Sequence, residues 1–171
     1  IISFGSSDGV YNKQKLVPFG EFIPFYNQLG GLLAFFDLPI STMSSGKPKQ
    51  KPLQFNNWQT MPLICYEVVY PNFVANAAMS SNVLITISND AWFGRSIGPH
   101  QHLQMAQMRA LENQRYVLRG TGTGISAIIS PNGKIMHESE QFQQTVITGN
   151  FSLFSGYTPW MKFGLWAIPL F

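Results

Sequence analysis

The chain has 171 residues, of which 45% are hydrophobic, 14% aromatic and only 11% charged, with a net charge of +3. This length suits one domain, and the apolar content is enough for a substantial core. The low share of charged residues favours apolar surface that faces a lipid or a partner protein. The few cations form no basic stripe, which argues against nucleic-acid binding.

The first part of the chain is predicted to contain short strands and loops. Strands are expected over residues 1–4, 15–17, 53–55 and 59–64, the last two as a pair. Between them, residues 18–39 are rich in large apolar side chains, but glycines and prolines interrupt any regular helix. We expect this apolar segment to be a lid or loop cluster that contacts lipid.

Strands alternate with helices in the remainder of the chain. Pro71 is expected to open a short helix, and residues 101–119 have the apolar spacing of a longer one. Residues 83–87 form an aliphatic run that suits a strand buried on both faces. Further strands are predicted over residues 125–130, 134–137 and 145–149. This alternation indicates an α/β layered domain.

The sole cysteine of the chain, Cys65, ends an apolar run and precedes Glu67 by two positions. A lone thiol forms no internal disulfide. Where a strand gives way to a turn and a helix, the N–H groups of the helix favour a thiolate, so the position suits chemistry. A buried structural cysteine is the alternative, because free cysteine is among the most buried residue types.

Polar residues follow three of the strand-like runs. They are Lys13 with Glu21, Cys65 with Glu67, and Asn89 with Asp90. Together they have a chemical logic: a thiolate attacks an acyl carbon, an ammonium stabilises the oxyanion, and a carboxylate moves protons. Taken singly, each lysine or glutamate suits a solvated surface equally well. His100 and His102 lack acidic or cysteine companions along the chain, so we expect a structural role for them and no metal site.

Three motifs together resemble the nitrilase superfamily. They are residues 11–24 (YNKQKLVPFGEFIP), 64–67 (ICYE) and 88–94 (SNDAWFG). More narrowly, they resemble its bacterial apolipoprotein N-acyltransferase family. The resemblance implies an α/β fold of the nitrilase-like αββα sandwich type with its N-terminal part missing. Residues 1–156 would then be the C-terminal part of a nitrilase-like catalytic domain.

The same resemblance implies acyl transfer. A fatty acyl chain would move from a phospholipid, through a thioester on Cys65, to the α-amine of a diacylglyceryl-cysteine lipoprotein. Lys13 is implied as the electrostatic stabiliser and Glu21 as its support, while Tyr66 and Glu67 match residues needed beside the nucleophile. The residues expected to bind substrate are Phe19, Phe25, Asn89 and Trp92.

The family lies in the bacterial inner membrane with its catalytic domain on the periplasmic side, and we expect a monomer without a cofactor. Tyr157, Trp160 and Trp166 flank Lys162 like an interfacial aromatic belt, so residues 157–171 are expected to start a truncated transmembrane helix. An amphipathic tail packed on the domain is the alternative. The general base of the family, a glutamate, would precede Ile1, so we expect these residues alone to be inactive.

Two other functions remain open at this stage. One is a soluble nitrilase-superfamily amidase that acts on a small carbon–nitrogen substrate. The other is a membrane-bound interaction domain with a degenerate site. An acyl-transfer assay with phospholipid and a lipopeptide distinguishes all three.

Overall fold

The computed structural model describes residues 1–3, 9–23 and 43–164. Its strands, numbered in chain order, are β1 Ile2–Ser3, β2 Gly9–Val10, β3 Leu53–Phe55, β4 Trp58–Thr60, β5 Leu63–Ile64, β6 Leu84–Ser88, β7 Val117–Thr121, β8 Ala127–Ile129 and β9 Ile135–Glu138. Strands β5 to β9 form one mixed sheet in that order, in which β5, β6 and β7 are parallel and the last two pairings are antiparallel. The pairs β1–β2 and β3–β4 form two small antiparallel sheets.

Among the described residues, three α-helices accompany the sheet: α1 Pro71–Ala78, α2 Gly98–Asn113 and α3 Pro159–Phe163. Each has a proline in its first turn, where the missing N–H would have no partner within the helix. The helices contact one another, and α2 also packs against β7. The three helices therefore form a layer on one face of the mixed sheet.

The core lies between this helical layer and the sheet. Leu84 of β6 and Val117 of β7 are fully buried there, together with Val74 of α1 and Ala106 of α2. Side chains alternate along β6, so Ile87 points the other way and is 46% exposed. The prediction that this strand is buried on both faces is therefore wrong for Ile87.

The long helix ends earlier than predicted. α2 stops at Asn113 because Gln114 has a left-handed backbone, with φ of 48°. The chain then enters β7, which places Arg119 in a strand rather than in a helix. The aliphatic and β-branched residues of this stretch explain the change, since they pack well between neighbouring strands.

Several strand predictions also differ from the structure. The predicted strand over 59–64 is divided: β4 ends at Thr60, and Leu63 joins the large sheet instead. Pro62 between them lacks an N–H for a continuous ladder. Residues 15–17 and 145–149 form no strand, whereas the predicted hairpin around Pro131 is confirmed as β8 and β9.

Thr158 caps α3 by accepting a hydrogen bond from the backbone N–H of Met161, and the helix ends before Gly164. Within the described ranges, no helix is both long and apolar enough to cross a bilayer. The expected start of a transmembrane helix over residues 157–171 stays a prediction, because residues 165–171 lie outside the described residues. Most of the predicted lid, including Phe25, lies outside them too.

Candidate active site

Cys65 lies where β5 ends and a five-residue 3₁₀ helix, Cys65–Val69, begins. α1 follows at Pro71, so the predicted strand-to-helix position of the cysteine is confirmed. Its φ of 53° is in the left-handed region, which costs a non-glycine residue about 1–2 kcal/mol. We call residues 64–67 the Cys65 turn. A strained backbone at this residue has to be held in place by its surroundings.

Glu67 holds the Cys65 turn from within the protein. Its carboxylate is fully buried and accepts backbone hydrogen bonds from Ile64 (2.7 Å), Gln14 (2.6 Å) and Lys15 (3.0 Å). The Tyr11 hydroxyl donates to it as well, at 3.1 Å. Burial raises the pKa of Tyr11 far above its ordinary value, and the charge and hydrogen bond of Glu67 add to this. Glu67 thus joins the loop that carries Lys13 to the turn that carries Cys65.

Lys13 and Glu21 form an ion pair beside this turn. The Lys13 ammonium lies 2.5 and 2.6 Å from the two carboxylate oxygens of Glu21. The side chains are 12% and 20% exposed, so solvent screens the pair only in part. Glu21 also accepts the backbone N–H of Val17 at 2.9 Å. The carboxylate therefore fixes both the ammonium and the loop around it.

An apolar cavity of about 390 Å³ opens beside Cys65. Glu21 and Cys65 lie in its wall, and its apolar lining comes from Val17, Tyr66, Val69, Trp92, Phe93 and Met105. This volume is within the range of small-molecule sites, which are concave and mostly apolar with a few polar groups. The thiol, the carboxylate and the imidazole of His102, which also lines the cavity, are the reactive groups that such a ligand would meet.

The structure brings most of the predicted site residues to this cavity. Cys65, Glu21, Tyr66, Asn89 and Trp92 all line it. Trp92 is 85% exposed at the rim. Lys13 reaches the cavity through its pair with Glu21, and Glu67 lies behind the Cys65 turn instead of in the cavity wall.

Phe19 is the predicted substrate-binding residue that the structure places apart from the others. It is 71% exposed, with φ of 60°, and is not among the described residues that line the cavity. Its predicted role, like that of Phe25, stays a prediction.

A family model described as carbon-nitrogen hydrolase matches residues 2–155 of the chain. The chain belongs to the carbon–nitrogen hydrolase family. Within the family it is 51% identical over 168 residues to an apolipoprotein N-acyltransferase of Azotobacter vinelandii. The alignment covers 98% of this chain and 33% of that protein. Proteins of the same name from Pseudomonas aeruginosa PAO1 and Nitrosomonas europaea are 50% and 42% identical over 96% of the chain. The chain spans about a third of the length of these curated relatives.

Solved structures of the nitrilase type share the fold. Caenorhabditis elegans NitFhit superposes with a TM-score of 0.55 at 20% identity, over 77% of this chain and 31% of that one. Saccharomyces cerevisiae Nit3, a member of branch 10 of the nitrilase superfamily, superposes with a TM-score of 0.51 at 24% identity. The match covers 60% of this chain and 41% of that one. At such low identity the likeness concerns the fold alone.

Sequence reasoning missed a buried cluster of polar side chains beneath Cys65. Asp90 pairs with Arg119 at 2.7 Å and lies 3.1 Å from Nδ1 of His102. The other ring nitrogen of His102 is 3.3 Å from the carbonyl oxygen of Cys65. The expectation that His102 lacks an acidic companion is therefore wrong, because Asp90 reaches it from another element. Arg119 could have indicated this cluster from the sequence, because a lone charge in an apolar strand requires a buried partner.

The buried cluster is not a metal centre. Among the residues that the structure describes, no group of three or more His, Cys, Asp and Glu side chains is placed to hold a metal ion. Asp90 and His102 have Arg119 as their third member, and a guanidinium has no lone pair to offer a cation.

Proposed function

We propose that Cys65 carries a fatty acyl chain as a thioester, taking it from a phospholipid and passing it to the α-amine of a diacylglyceryl-cysteine lipoprotein. The apolar cavity with Cys65 in its wall is the observation that supports this function best. An acyl chain gains free energy by leaving water for such a cavity. The relatives that share about half of the residues carry the name apolipoprotein N-acyltransferase, which points to the same reaction.

The proposed reaction has two steps. The Cys65 thiolate attacks the carbonyl carbon of the phospholipid ester, the ester C–O bond breaks, and the lysophospholipid leaves as its oxygen takes up a proton. The free amine of the lipoprotein then attacks the thioester, loses a proton and releases the thiolate. Dividing one difficult transfer into two easier ones is the purpose of a covalent intermediate.

Lys13 and Tyr66 are proposed to stabilise the oxyanion that forms in both steps. The Lys13 ammonium is fixed by Glu21, which is itself in the cavity wall. The backbone N–H of Tyr66 follows directly after the nucleophile in the 3₁₀ helix. Donors that are already in place when charge develops need no reorganisation, and this is what makes them effective.

We also propose the finer architecture that the resemblance implies. The described sheet and its helices would be half of an αββα sandwich, and Ile87, 46% exposed on the open face of β6, supports a second sheet there. The exposed Trp92 at the cavity rim suits a site that meets lipid. From the same resemblance we propose that residues 1–156 belong to a catalytic domain on the periplasmic side of the inner membrane.

The test is to detect the acyl-enzyme. We suggest a chimera in which these residues replace the matching third of the Azotobacter vinelandii protein. After incubation with phospholipid vesicles of one defined acyl chain, the peptide that contains Cys65 should gain the mass of that chain. Addition of a diacylglyceryl lipopeptide should then remove it.

The Cys65→Ala chimera is the control and should neither gain the acyl mass nor modify the lipopeptide. The unaltered Azotobacter vinelandii protein reports that the assay works. If that protein is acylated and the chimera is folded but unmodified at Cys65, the proposed function is wrong.

A further inference from the structure

We infer that Asp90, His102 and Arg119 form a positioning cluster for the nucleophile, in which His102 fixes the peptide unit between Cys65 and Tyr66. The inference rests on the proposed role of Cys65 as nucleophile. It adds three residues to the machinery, each of which acts by holding another group in place, and His102 also lines the cavity.

Nε2 of His102 contacts the backbone of the Cys65 turn. Nε2 lies 3.3 Å from the carbonyl oxygen of Cys65, and a carbonyl only accepts hydrogen bonds, so Nε2 has to carry a proton. Nδ1 lies 3.1 Å from both Asp90 Oδ1 and Arg119 Nη2. Nδ1 can donate to the carboxylate or accept from the guanidinium, and either arrangement leaves the proton on Nε2 in place. The two charged partners thus orient the ring so that its Nε2–H donates to the carbonyl oxygen of Cys65.

Asp90 is itself held from several sides. It is 1% exposed, pairs with Arg119 at 2.7 Å and accepts a hydrogen bond from the Ser88 hydroxyl. Gly124 closes over it so tightly that a Cβ there would come within 2.3 Å of Oδ2. Burial alone would raise the pKa of Asp90, but hydrogen bonds from His102 and Ser88 and the charge of Arg119 hold it below its ordinary value. Asp90 is therefore fixed by its protein partners, out of contact with bulk water.

Arg119 is the cationic member of the cluster and pairs with Asp90 at 2.7 Å. Burial lowers the pKa of the guanidinium, while the charges of Asp90 and Cys65 act in the opposite direction.

The geometric consequence concerns the oxyanion. The carbonyl of Cys65 and the N–H of Tyr66 belong to one planar peptide unit and point in opposite directions. When His102 fixes the carbonyl, it also fixes the direction of the Tyr66 N–H, the proposed oxyanion donor. Glu67 holds the backbone on the other side through the N–H of Ile64 at 2.7 Å. The left-handed Cys65 is thus restrained on both sides.

A purely structural ion pair would stabilise the fold without affecting the chemistry, and two reagents separate these roles. Acylation of Cys65 by p-nitrophenyl butyrate passes through an oxyanion, whereas alkylation by iodoacetamide does not. The rate ratio of acylation to alkylation therefore reports on the oxyanion donor and is insensitive to a change in the amount of folded protein. Neither reagent requires a phospholipid.

We would measure this ratio in the chimera with His102→Met, His102→Gln and His100→Met. His102→Met should lower it about tenfold, the rate equivalent of one lost hydrogen bond. His102→Gln keeps an N–H near the Nε2 position and should restore most of the ratio. His100 lies two positions away on the same helix and is exposed, so His100→Met should leave the ratio unchanged. If His102→Met does not fold, Asp90→Asn takes its place in the test, because this change keeps the shape of the side chain. Asp90→Asn should then lower the rate ratio.

An unchanged ratio in folded His102→Met, or in Asp90→Asn where His102→Met does not fold, overturns the inference. So does a wild-type chimera in which the butyrate ester leaves Cys65 unmodified. If Cys65 reacts with the ester but never with phospholipid, and the ratio falls as expected, the positioning cluster stands and the proposed acyl donor is wrong.

Discussion

Replacement of Glu67 by glutamine tests the link between the loop that carries Lys13 and the Cys65 turn. One carboxylate oxygen accepts from the backbone N–H groups of Gln14 and Lys15, and the other accepts from that of Ile64. Whichever way the new amide is oriented, its NH₂ group faces at least one buried N–H. An unsatisfied buried donor costs about 1–3 kcal/mol, and the remaining bonds lose the strength that a charged acceptor gives.

We therefore expect Glu67→Gln to lower the free energy of unfolding by about 2–4 kcal/mol. For a chain of 171 residues this corresponds to a melting temperature lower by about 4–16 °C. Urea unfolding followed by circular dichroism measures the first quantity and a thermal scan the second. Glu138→Gln, at an exposed position, is the matched control and should change the free energy by less than about 0.5 kcal/mol. If Glu67→Gln is as stable as this control, the carboxylate does not hold the two segments together.

The remaining predictions concern activity and acid stability. Lys13→Arg should lower acyl transfer by the chimera at least about tenfold despite the retained charge, because a planar guanidinium does not replace a compact ammonium. The control Lys47→Arg, at an exposed position, should have no effect. If the two variants transfer acyl chains equally well, Lys13 is a surface residue. Trp92→Asp should leave the melting temperature unchanged but raise the phospholipid concentration for half-maximal rate about tenfold, whereas Val146→Asp, also highly exposed, should not. Asp90 has a pKa below its ordinary value of 3.8, so its ionised form contributes stability that is present above about pH 4 and lost as the pH falls further. The stability difference between wild type and Asp90→Asn should accordingly shrink on acidification in urea titrations, and a constant difference down to pH 2 would contradict this account.

Local patterns in the sequence were sufficient for several elements of the fold. The run before Cys65 and the proline at position 71 predicted a strand followed by a helix, and β5, the 3₁₀ helix and α1 confirm this. The turn at Pro131 likewise predicted the β8–β9 hairpin. Such features depend on residues close together in the chain, whose conformational preferences act without distant partners.

Predictions failed where distant partners decide the outcome. The helical pattern before residue 119 continued smoothly, yet residues 117–121 pair with β6 and β8 and become a strand. Residues 145–149 had the composition of a strand but form no ladder. A strand depends on the neighbour that completes its hydrogen bonds, and that neighbour is distant in the sequence.

The sequence by itself determined the family motifs, the unique thiol and five of the residues that line the cavity. Only the tertiary structure decided their partners: Glu67 reaches Gln14 across 53 positions, and Arg119 reaches Asp90 across 29. The parallel order of β5, β6 and β7 brings the ends of these strands to one edge of the sheet, where Cys65 follows β5 directly and Asp90 follows β6 after one residue. A charge so deeply buried is stable only with its partner in place, and nothing in the linear sequence specifies which partner the folded chain will supply.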